Sequence, residues 1–420
     1  MKEGRQLEFK EKVSGSYLKT VSAFANYDGG SILFGVNDVG DIVGISDVEQ
    51  NCLDIENSIN DSIKPQPDYC IEITNSGKTI SLSVRSGVNK PYMYKGKAYK
   101  RNDTSTIEVD QVELKRLILA GENKDYEDLL SHDQNLEFSY LEQELISKTG
   151  IRKLSKDILK TLNLYSDNGG YNIAAAIVSD KNDLPGIDIA KFGETISIFQ
   201  KRKTLEHQSI IRSFYEAVEM YKDYYQYEKV DGFERKLIET IPEEAFREAL
   251  ANAIIHRVWD INSHIRVSMF DDHVEIVSVG GLPNAVTVES YLSGDLSVLR
   301  NPILANIFHR LNLIEKFGTG IRRIKESYAD SLIKPTFVVT ENLIKVTLPL
   351  LSEKKDLTQD ELVVYSVLSK NINKPISEIM ASPSIEFGKS KVTEILKRLA
   401  SKNLIDIEGT GRGTKYRIKP

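Results

Sequence analysis

Residues 21–45 read VSAFANYDGGSILFGVNDVGDIVGI, and this stretch decides how the N-terminal part of the chain folds. Leu18, Val21, Phe24 and Ala25 recur at helical spacing within SYLKTVSAFANY, so a helix with one apolar face is predicted there. Asp28-Gly29-Gly30 breaks that pattern, and SILFGV follows as a short apolar strand. Asn37–Gly40 reads as a turn and DIVGI as a second strand. Upstream, LEFK alternates: on a strand, Glu8 and Lys10 share one face and Phe9 takes the other. Downstream, CIEITNSGKTISLSV reads as a hairpin around Asn75-Ser76-Gly77. VNKPYMYKGKAYKRNDTST adds two short strands around Lys95-Gly96-Lys97. The region is an α+β unit.

LEFK, Ala23-Phe24-Ala25-Asn26 with Gly29-Gly30, and AYKRNDTST together resemble the Schlafen AlbA-type domain over about 120 residues. In nucleolytic members of that family three carboxylates form a metal-dependent site. By motif they fall on Glu3, Glu8 and Asp38, which the resemblance would have hold Mg²⁺ or Mn²⁺, with Lys10 neutralising phosphate charge. The same residues also read more plainly. Glu8 and Lys10 suit a solvated pair, and Asp38 suits a turn. Lys90, Lys95, Lys97, Lys100 and Arg101 are interleaved with Tyr92, Tyr94 and Tyr99, a pattern that fits phosphate tracking and base stacking. An ordinary hairpin with tyrosines in the core fits it equally.

The whole chain has 420 residues, 40% hydrophobic and 28% charged, with a formal net charge of −6. That size allows several domains, and the balance gives no global sign of nucleic-acid binding, so any such case must be local. Two cysteines, Cys52 and Cys70, exclude a cysteine-built zinc site. MKEGRQLEFK has no apolar leader, and no apolar run approaches a membrane span, so a cytoplasmic protein without membrane partners is expected. Pattern changes divide the chain into 1–123, 124–352 and 357–420, with LSEKKD as a polar linker.

In the middle region YNIAAAIVSD reads as a buried strand, SIIRSFYEAVEMYKDYYQY as a long amphipathic helix, and HIRVSMFDDHVEIVSVGGLP as a hairpin. EEAFREALANAIIHR spaces Glu248, Asn252 and His256 four residues apart, which stacks them along one helix face. Gly280-Gly281 follow a strand, and Gly318 and Gly320 precede a helix, where backbone N–H groups can cradle phosphate. This Glu-x3-Asn-x3-His helix with two glycine elements in order resembles the GHKL ATPase family over residues 240–330, in the divergent form found beside Schlafen-type domains. The resemblance implies an α/β sandwich binding ATP and Mg²⁺. Glu248 would position or activate water, Asn252 would hold the metal, and the four glycines would line the nucleotide; on the same stripe the His256 imidazole suits a phosphate contact, and a solvated stripe with two glycine turns is the plainer reading. The family's first glycine box carries an aspartate for adenine, and Ile276–Gly280 has none.

At the C-terminus TQDELVVYSVLSK, KPISEIMAS and FGKSKVTEILKRLASKNLI read as three helices and LIDIEGTGRGTKYRIK as a hairpin with a glycine-rich tip. That order resembles the winged helix-turn-helix family, whose third helix enters the major groove. Residues 354–420 carry 13 Lys+Arg against 8 Asp+Glu, net +5 in an acidic chain. Lys389, Ser390, Lys391 and Thr393 open the third helix, and Arg412 and Lys415 flank the tip. A small dimerisation domain with a basic face is the plainer reading. The chain is thus expected to be an α+β multidomain protein of Schlafen AlbA-like, GHKL-like and winged-helix parts. Its expected role is a nucleotide-responsive DNA-binding transcriptional regulator, forming a homo-oligomer and contacting duplex DNA, with RNA as a further partner of the N-terminal part. The rivals are a metal-dependent nuclease for RNA or DNA, gated by nucleotide in antiviral defence, and an assembly scaffold.

Overall fold

The computed structural model describes residues 2–75, 78–283, 286–294, 298–314, 319–351, 357–369 and 372–419. The chain separates into two compact units, 1–129 and 130–420 apart from a short stretch at 283–285.

In the first unit β1 (Leu7–Lys10), α1 (Tyr17–Asn26) and β2 (Gly30–Phe34) follow in order. Then come α2 (Val48–Ser62), β3 (Ile63–Lys64), β4 (Tyr69–Thr74), β5 (Thr79–Val84), β6 (Met93–Tyr94), β7 (Lys97–Asn102), β8 (Ser105–Glu108) and α3 (Gln111–Gly121). One sheet runs β1-β2-β5-β4, with β1 and β2 parallel; the other runs β3-β6-β7-β8. The AFAN and GG residues account for the packing. Asn26 is fully buried and clamps a backbone segment: its Nδ2 donates to the Tyr92 carbonyl at 2.9 Å and its Oδ1 accepts the Tyr92 N–H at 2.7 Å. Gly30 must be glycine, because a Cβ there would lie 2.7 Å from the Phe24 ring and 2.8 Å from the Gln6 carbonyl. Gly29 holds a positive φ of 73°, which glycine adopts freely. The stretch 41–45 is not the expected strand: only a single bridge, Val36 to Ile42, forms there, and Ile42 and Val43 stay exposed.

The second unit opens with α4 (Ser139–Thr149), α5 (Lys156–Thr161), the short pair β9 (Tyr165–Ser166) and β10 (Gly170–Tyr171), and α6 (Ile173–Val178). The last corrects the strand expected in YNIAAAIVSD. Asn172 caps the segment by accepting the Ala175 N–H at 2.9 Å, and a run of alanines then favours helix. Next are β11 (Ile187–Phe192), β12 (Phe199–Leu205), α7 (Ile210–Tyr225), β13 (Gln226–Asp231), β14 (Glu234–Glu239) and α8 (Glu243–His256). β15 (Ile265–Met269), β16 (His273–Val279), α9 (Val288–Ser293), α10 (Pro302–Arg310), α11 (Gly320–Glu326), β17 (Thr336–Val339) and β18 (Leu343–Pro349) complete the middle. A six-stranded sheet runs β12-β11-β15-β16-β18-β17, parallel only between β11 and β15. Its strands alternate buried and exposed residues, as in β16 with Val274 and Ile276 buried. α7 packs on β11, and α8 on β16 and β18. Tyr221 of α7 stacks on Phe246 of α8 at 4.3 Å. β13 and β14 form a separate hairpin, and the amphipathic helix expected through Tyr227 ends at Tyr225.

The C-terminal part holds α12 (Gln359–Val367), β19 (Lys374–Pro375), α13 (Ile376–Met380), α14 (Lys389–Ser401), β20 (Ile405–Glu408) and β21 (Lys415–Ile418), with sheet order β19-β21-β20. Val364, Ile379, Val392, Ile395, Leu396 and Leu399 form its core, joined by Leu332 and Ile333. Among the described residues no helix is long and apolar enough to cross a membrane.

Candidate functional site

The opening strand answers first. Glu8 on β1 is buried, and its carboxylate is fully engaged. Oε1 meets Lys10 Nζ at 2.6 Å, while Oε2 accepts Thr20 Oγ1 at 2.6 Å and pairs with the Arg101 guanidinium. Arg101 also donates to Thr106 Oγ1 at 3.1 Å, and Thr106 meets Thr20 at 2.8 Å. Glu3 is used locally: its Oε1 accepts the Phe9 N–H at 2.7 Å. Asp38 is exposed on a turn that Asn37 organises by accepting the Asp41 N–H at 2.8 Å. Among the described residues no three His, Cys, Asp or Glu side chains are gathered as metal ligands. Glu3, Glu8 and Asp38 are therefore not assembled as the expected set. Glu8 is neutralised instead by two internal cations, Lys10 and Arg101.

The basic hairpin is likewise satisfied internally. Lys97 pairs with Glu108 at 2.7 Å, Lys100 with Glu113, and Lys95 lies over the Tyr94 ring at 5.2 Å. Tyr92, Tyr94 and Tyr99 are core residues, so they offer no stacking platform for bases. Of the two readings of this stretch, burial favours the hairpin with its tyrosines in the core.

On α8, Glu248 is buried and Asn252 half-buried, one turn apart, with Asn252 Nδ2 donating to Glu248 Oε1 at 3.2 Å. Gly320, at the start of α11, sits directly over them. A Cβ there would lie 2.1 Å from Glu248 Oε1 and 2.8 Å from Asn252 Nδ2. Glu248, Asn252 and Gly320 thus lie together where α11 meets α8; Gly318 lies outside the described residues. Beside Glu248 opens a cavity of about 570 Å³ whose walls also include Glu239, Glu243, Glu244, Arg247, His309 and Arg323, so carboxylates outnumber guanidinium groups there. Sequence reading misses Arg247 and Arg323. Arg247 is one position before Glu248 on the same helix, and Arg323 is one turn after Gly320.

His256 and the first glycine pair are placed differently. Desolvation and the Arg300 guanidinium push the His256 imidazole down to about 4, so it is neutral at physiological pH. Arg300 donates to the His256 carbonyl at 3.1 Å and to the Gly281 carbonyl at 2.8 Å. The Gly280 and Gly281 N–H groups already donate to the Asn342 and Glu341 carbonyls, at 2.8 and 3.0 Å. They extend the β16–β18 ladder rather than presenting donors to a phosphate. Gly280 has φ of 98° and leaves no room for a Cβ, which would come within 2.3 Å of Val258.

On α14 the apolar face is buried, and Lys389, Ser390 and Lys391 of its first turn are exposed. Lys391 pairs with Asp360 at 2.6 Å and covers the Phe387 ring at 4.4 Å. Thr393 donates to the Lys389 carbonyl at 2.8 Å, which turns its hydroxyl back on the helix. Arg412 lies in the turn Gly411–Gly413 between β20 and β21, and Lys415 is exposed at the start of β21.

Comparison with known proteins bears on two segments. Residues 3–110 match the family model described as Schlafen, AlbA_2. Residues 262–348 match the one described as "Putative ATP-dependent DNA helicase recG C-terminal". The second match begins after α8, so Glu248 and Asn252 stand outside it. No curated protein matches the chain significantly. Among solved structures, the DIP2311 protein of Corynebacterium diphtheriae is similar at TM-score 0.50 and 18% identity, covering 99% of this chain and 92% of that one; the likeness is one of fold. The N-terminal domain of "Putative ATP-dependent DNA Helicase RecG-related Protein" from Nitrosomonas europaea matches at 24% identity and TM-score 0.19, over 25% of this chain and 79% of that one. Residues 3–110 are thus similar to the Schlafen AlbA_2 model, and residues 262–348 to the recG C-terminal model.

Proposed function

We propose that the chain is a nucleotide-responsive nucleic-acid-binding protein that acts as a DNA-binding transcriptional regulator. The observation that carries the reading is the C-terminal part. Three helices and a three-stranded sheet run in the order of a winged helix, and α14 presents an exposed basic first turn above a buried apolar face. Lys389, Ser390 and Lys391 face the groove of duplex DNA, and Lys415 meets the backbone beside it. The nucleotide site is the α8–α11 junction. Glu248 and Asn252 offer oxygen donors suited to Mg²⁺, and the adjoining cavity sets Arg247, 3.9 Å from Glu243, and Arg323 among Glu239, Glu243, Glu244 and Glu248, so a polyphosphate would enter it with its metal rather than alone. When bound, Mg²⁺ would supply charge neutralisation for the polyphosphate.

The test is charge reversal on α14 in the full chain. Lys389→Glu with Lys391→Glu should weaken duplex binding at least tenfold and reduce its salt slope by about 2. Because Lys391 pairs with Asp360, Asp360→Lys separates loss of that internal pair from loss of DNA contact. Unchanged affinity and salt slope in the double variant would show that α14 is not the reader.

A further inference from the structure

The hairpin β13–β14 stands apart from every other strand among the described residues. Both of its faces are exposed: Tyr227 by 53%, Val230 by 67%, Leu237 by 59%, and Phe233 at the turn completely. An isolated two-stranded hairpin is marginal in water, and an open apolar edge is a template for further pairing. The arm carries four acids (Glu228, Asp231, Glu234 and Glu239) against three bases (Lys229, Arg235 and Lys236). This mixed, slightly negative surface is unsuited to a phosphate backbone and suited to a protein edge of the same mixed kind.

The hydrogen-bond register selects the partner. Asp231 and Glu234 close a two-residue loop with Gly232 at φ of 65°, so this pair exchanges backbone hydrogen bonds. The alternation continues through Lys229–Lys236 and Tyr227–Ile238 to Tyr225, whose carbonyl accepts the Thr240 N–H at 2.8 Å. The backbone groups of Arg235, Leu237 and Glu239 therefore face the outer edge. A two-fold antiparallel ladder sets residues of equal phase opposite one another, so its axis passes through a residue. On β13 an axis at Glu228 or Lys229 opposes like charges, one at Val230 runs into the turn, and one at Gln226 or Tyr227 runs into α7, which ends at Tyr225. On β14 an axis at Lys236 opposes two lysines. An axis at Leu237 sets Leu237 on Leu237 and Arg235 on Glu239 twice. Moving on to Ile238 loses those ion pairs and engages Thr240, whose carbonyl already accepts the Leu351 N–H.

We propose that β14 pairs antiparallel with β14 of a second copy of this chain, about a two-fold axis at Leu237, to form a four-stranded inter-chain sheet. Arg235, which bonds Glu228 at 3.3 Å across its own hairpin, then reaches Glu239 of the second copy. Glu239 in turn holds the start of α8 by accepting the Glu243 N–H at 2.8 Å. The pairing thus ties each arm to the helix that carries Glu248; Glu239 also lines the cavity beside Glu248, so the pairing is tested by assembly alone, without nucleotide or DNA.

The experiment is sedimentation of the full chain. The parent should be a dimer. Arg235→Glu and Glu239→Arg should each weaken it at least tenfold, since each opposes like charges twice. Mixing the two variants should restore a heterodimer, because their pairs are complementary at both contacts. Leu237→Cys, in a chain with Cys52→Ser and Cys70→Ser, should cross-link between copies on oxidation, since directly opposed hydrogen-bonded residues lie about 5.5 Å apart at Cα. Melting curves verify folding; if Glu239→Arg unfolds α8, Arg235→Glu and the cysteine variant decide. A monomeric parent, a dimer untouched by Arg235→Glu, or no cross-link on oxidising the Leu237→Cys variant would each overturn the proposal.

Discussion

At the scale of single residues, Arg101 distinguishes two accounts of the N-terminal segment. Its guanidinium is buried against Glu8, so Arg101→Ala leaves a buried carboxylate with Lys10 as its remaining cation. Removing one partner of a buried pair costs about 3–5 kcal/mol, and a melting experiment should show a loss at the lower end, with Lys10 still present. A nucleic-acid contact would instead lower affinity and leave the melting temperature alone. His256 gives a second residue-scale prediction. Its folded pKa of about 4 lies below the ordinary 6.5, so the unfolded chain binds more protons between those values. Its contribution to stability is complete above pH 6.5 and is lost as pH falls toward 4. His256→Gln should flatten that part of the stability profile by up to about 3 kcal/mol relative to the parent. Parallel profiles for the two proteins would contradict the burial argument.

At the scale of elements, the AFAN–GG stretch was legible because its constraints are local and steric. Gly30 lacks room for a Cβ against Phe24, six positions away, and the helix period places Asn26 on the buried side. Asn26→Ala should cost about 2 kcal/mol or more, since it strands the buried Tyr92 N–H. Denaturant midpoints for Asn26→Ala and Asn26→Asp check this, because aspartate keeps the acceptor for that N–H. Other elements were hidden for physical reasons. Arg101 is 93 positions from Glu8, and only the meeting of two sheets joins them. The tyrosines of 92–99 alternate with lysines in a pattern that fits a core face as well as a stacking face, and burial decides. DIVGI has strand composition but finds no ladder. In YNIAAAIVSD the apolar run masks a readable signal, the Asn172 cap. The predicted helix SIIRSFYEAVEMYKDYYQY runs two residues into the arm, at Gln226 and Tyr227, and 228–239 drew no reading.

At the scale of the whole molecule, the two family segments and the three helices and closing hairpin of the C-terminal part were legible, because each rests on motifs or periods internal to itself, while the two-residue strand β19 at Lys374–Pro375, taken as the start of a helix, was not. The candidate nucleotide site was legible only in half. Glu248 and Asn252 were visible by spacing, and their closure by Gly320 follows from the packing of α11 on α8. Gly280 and Gly281 look the same in sequence as phosphate-binding glycines, yet their N–H groups are spent on Asn342 and Glu341. Glycine recurs wherever backbone approaches backbone, and sequence cannot tell a ligand from a neighbouring strand.

The measurement that tests the central claim most directly is the affinity of the full chain for duplex DNA with and without Mg²⁺-ATP, for the parent and for Asn252→Ala. The account predicts that nucleotide shifts the parent's DNA affinity at least tenfold, about 1.4 kcal/mol of coupling, and that Asn252→Ala removes the shift while leaving nucleotide-free DNA binding intact. Equal DNA affinities with and without nucleotide in the parent, or a shift that survives Asn252→Ala, would contradict it.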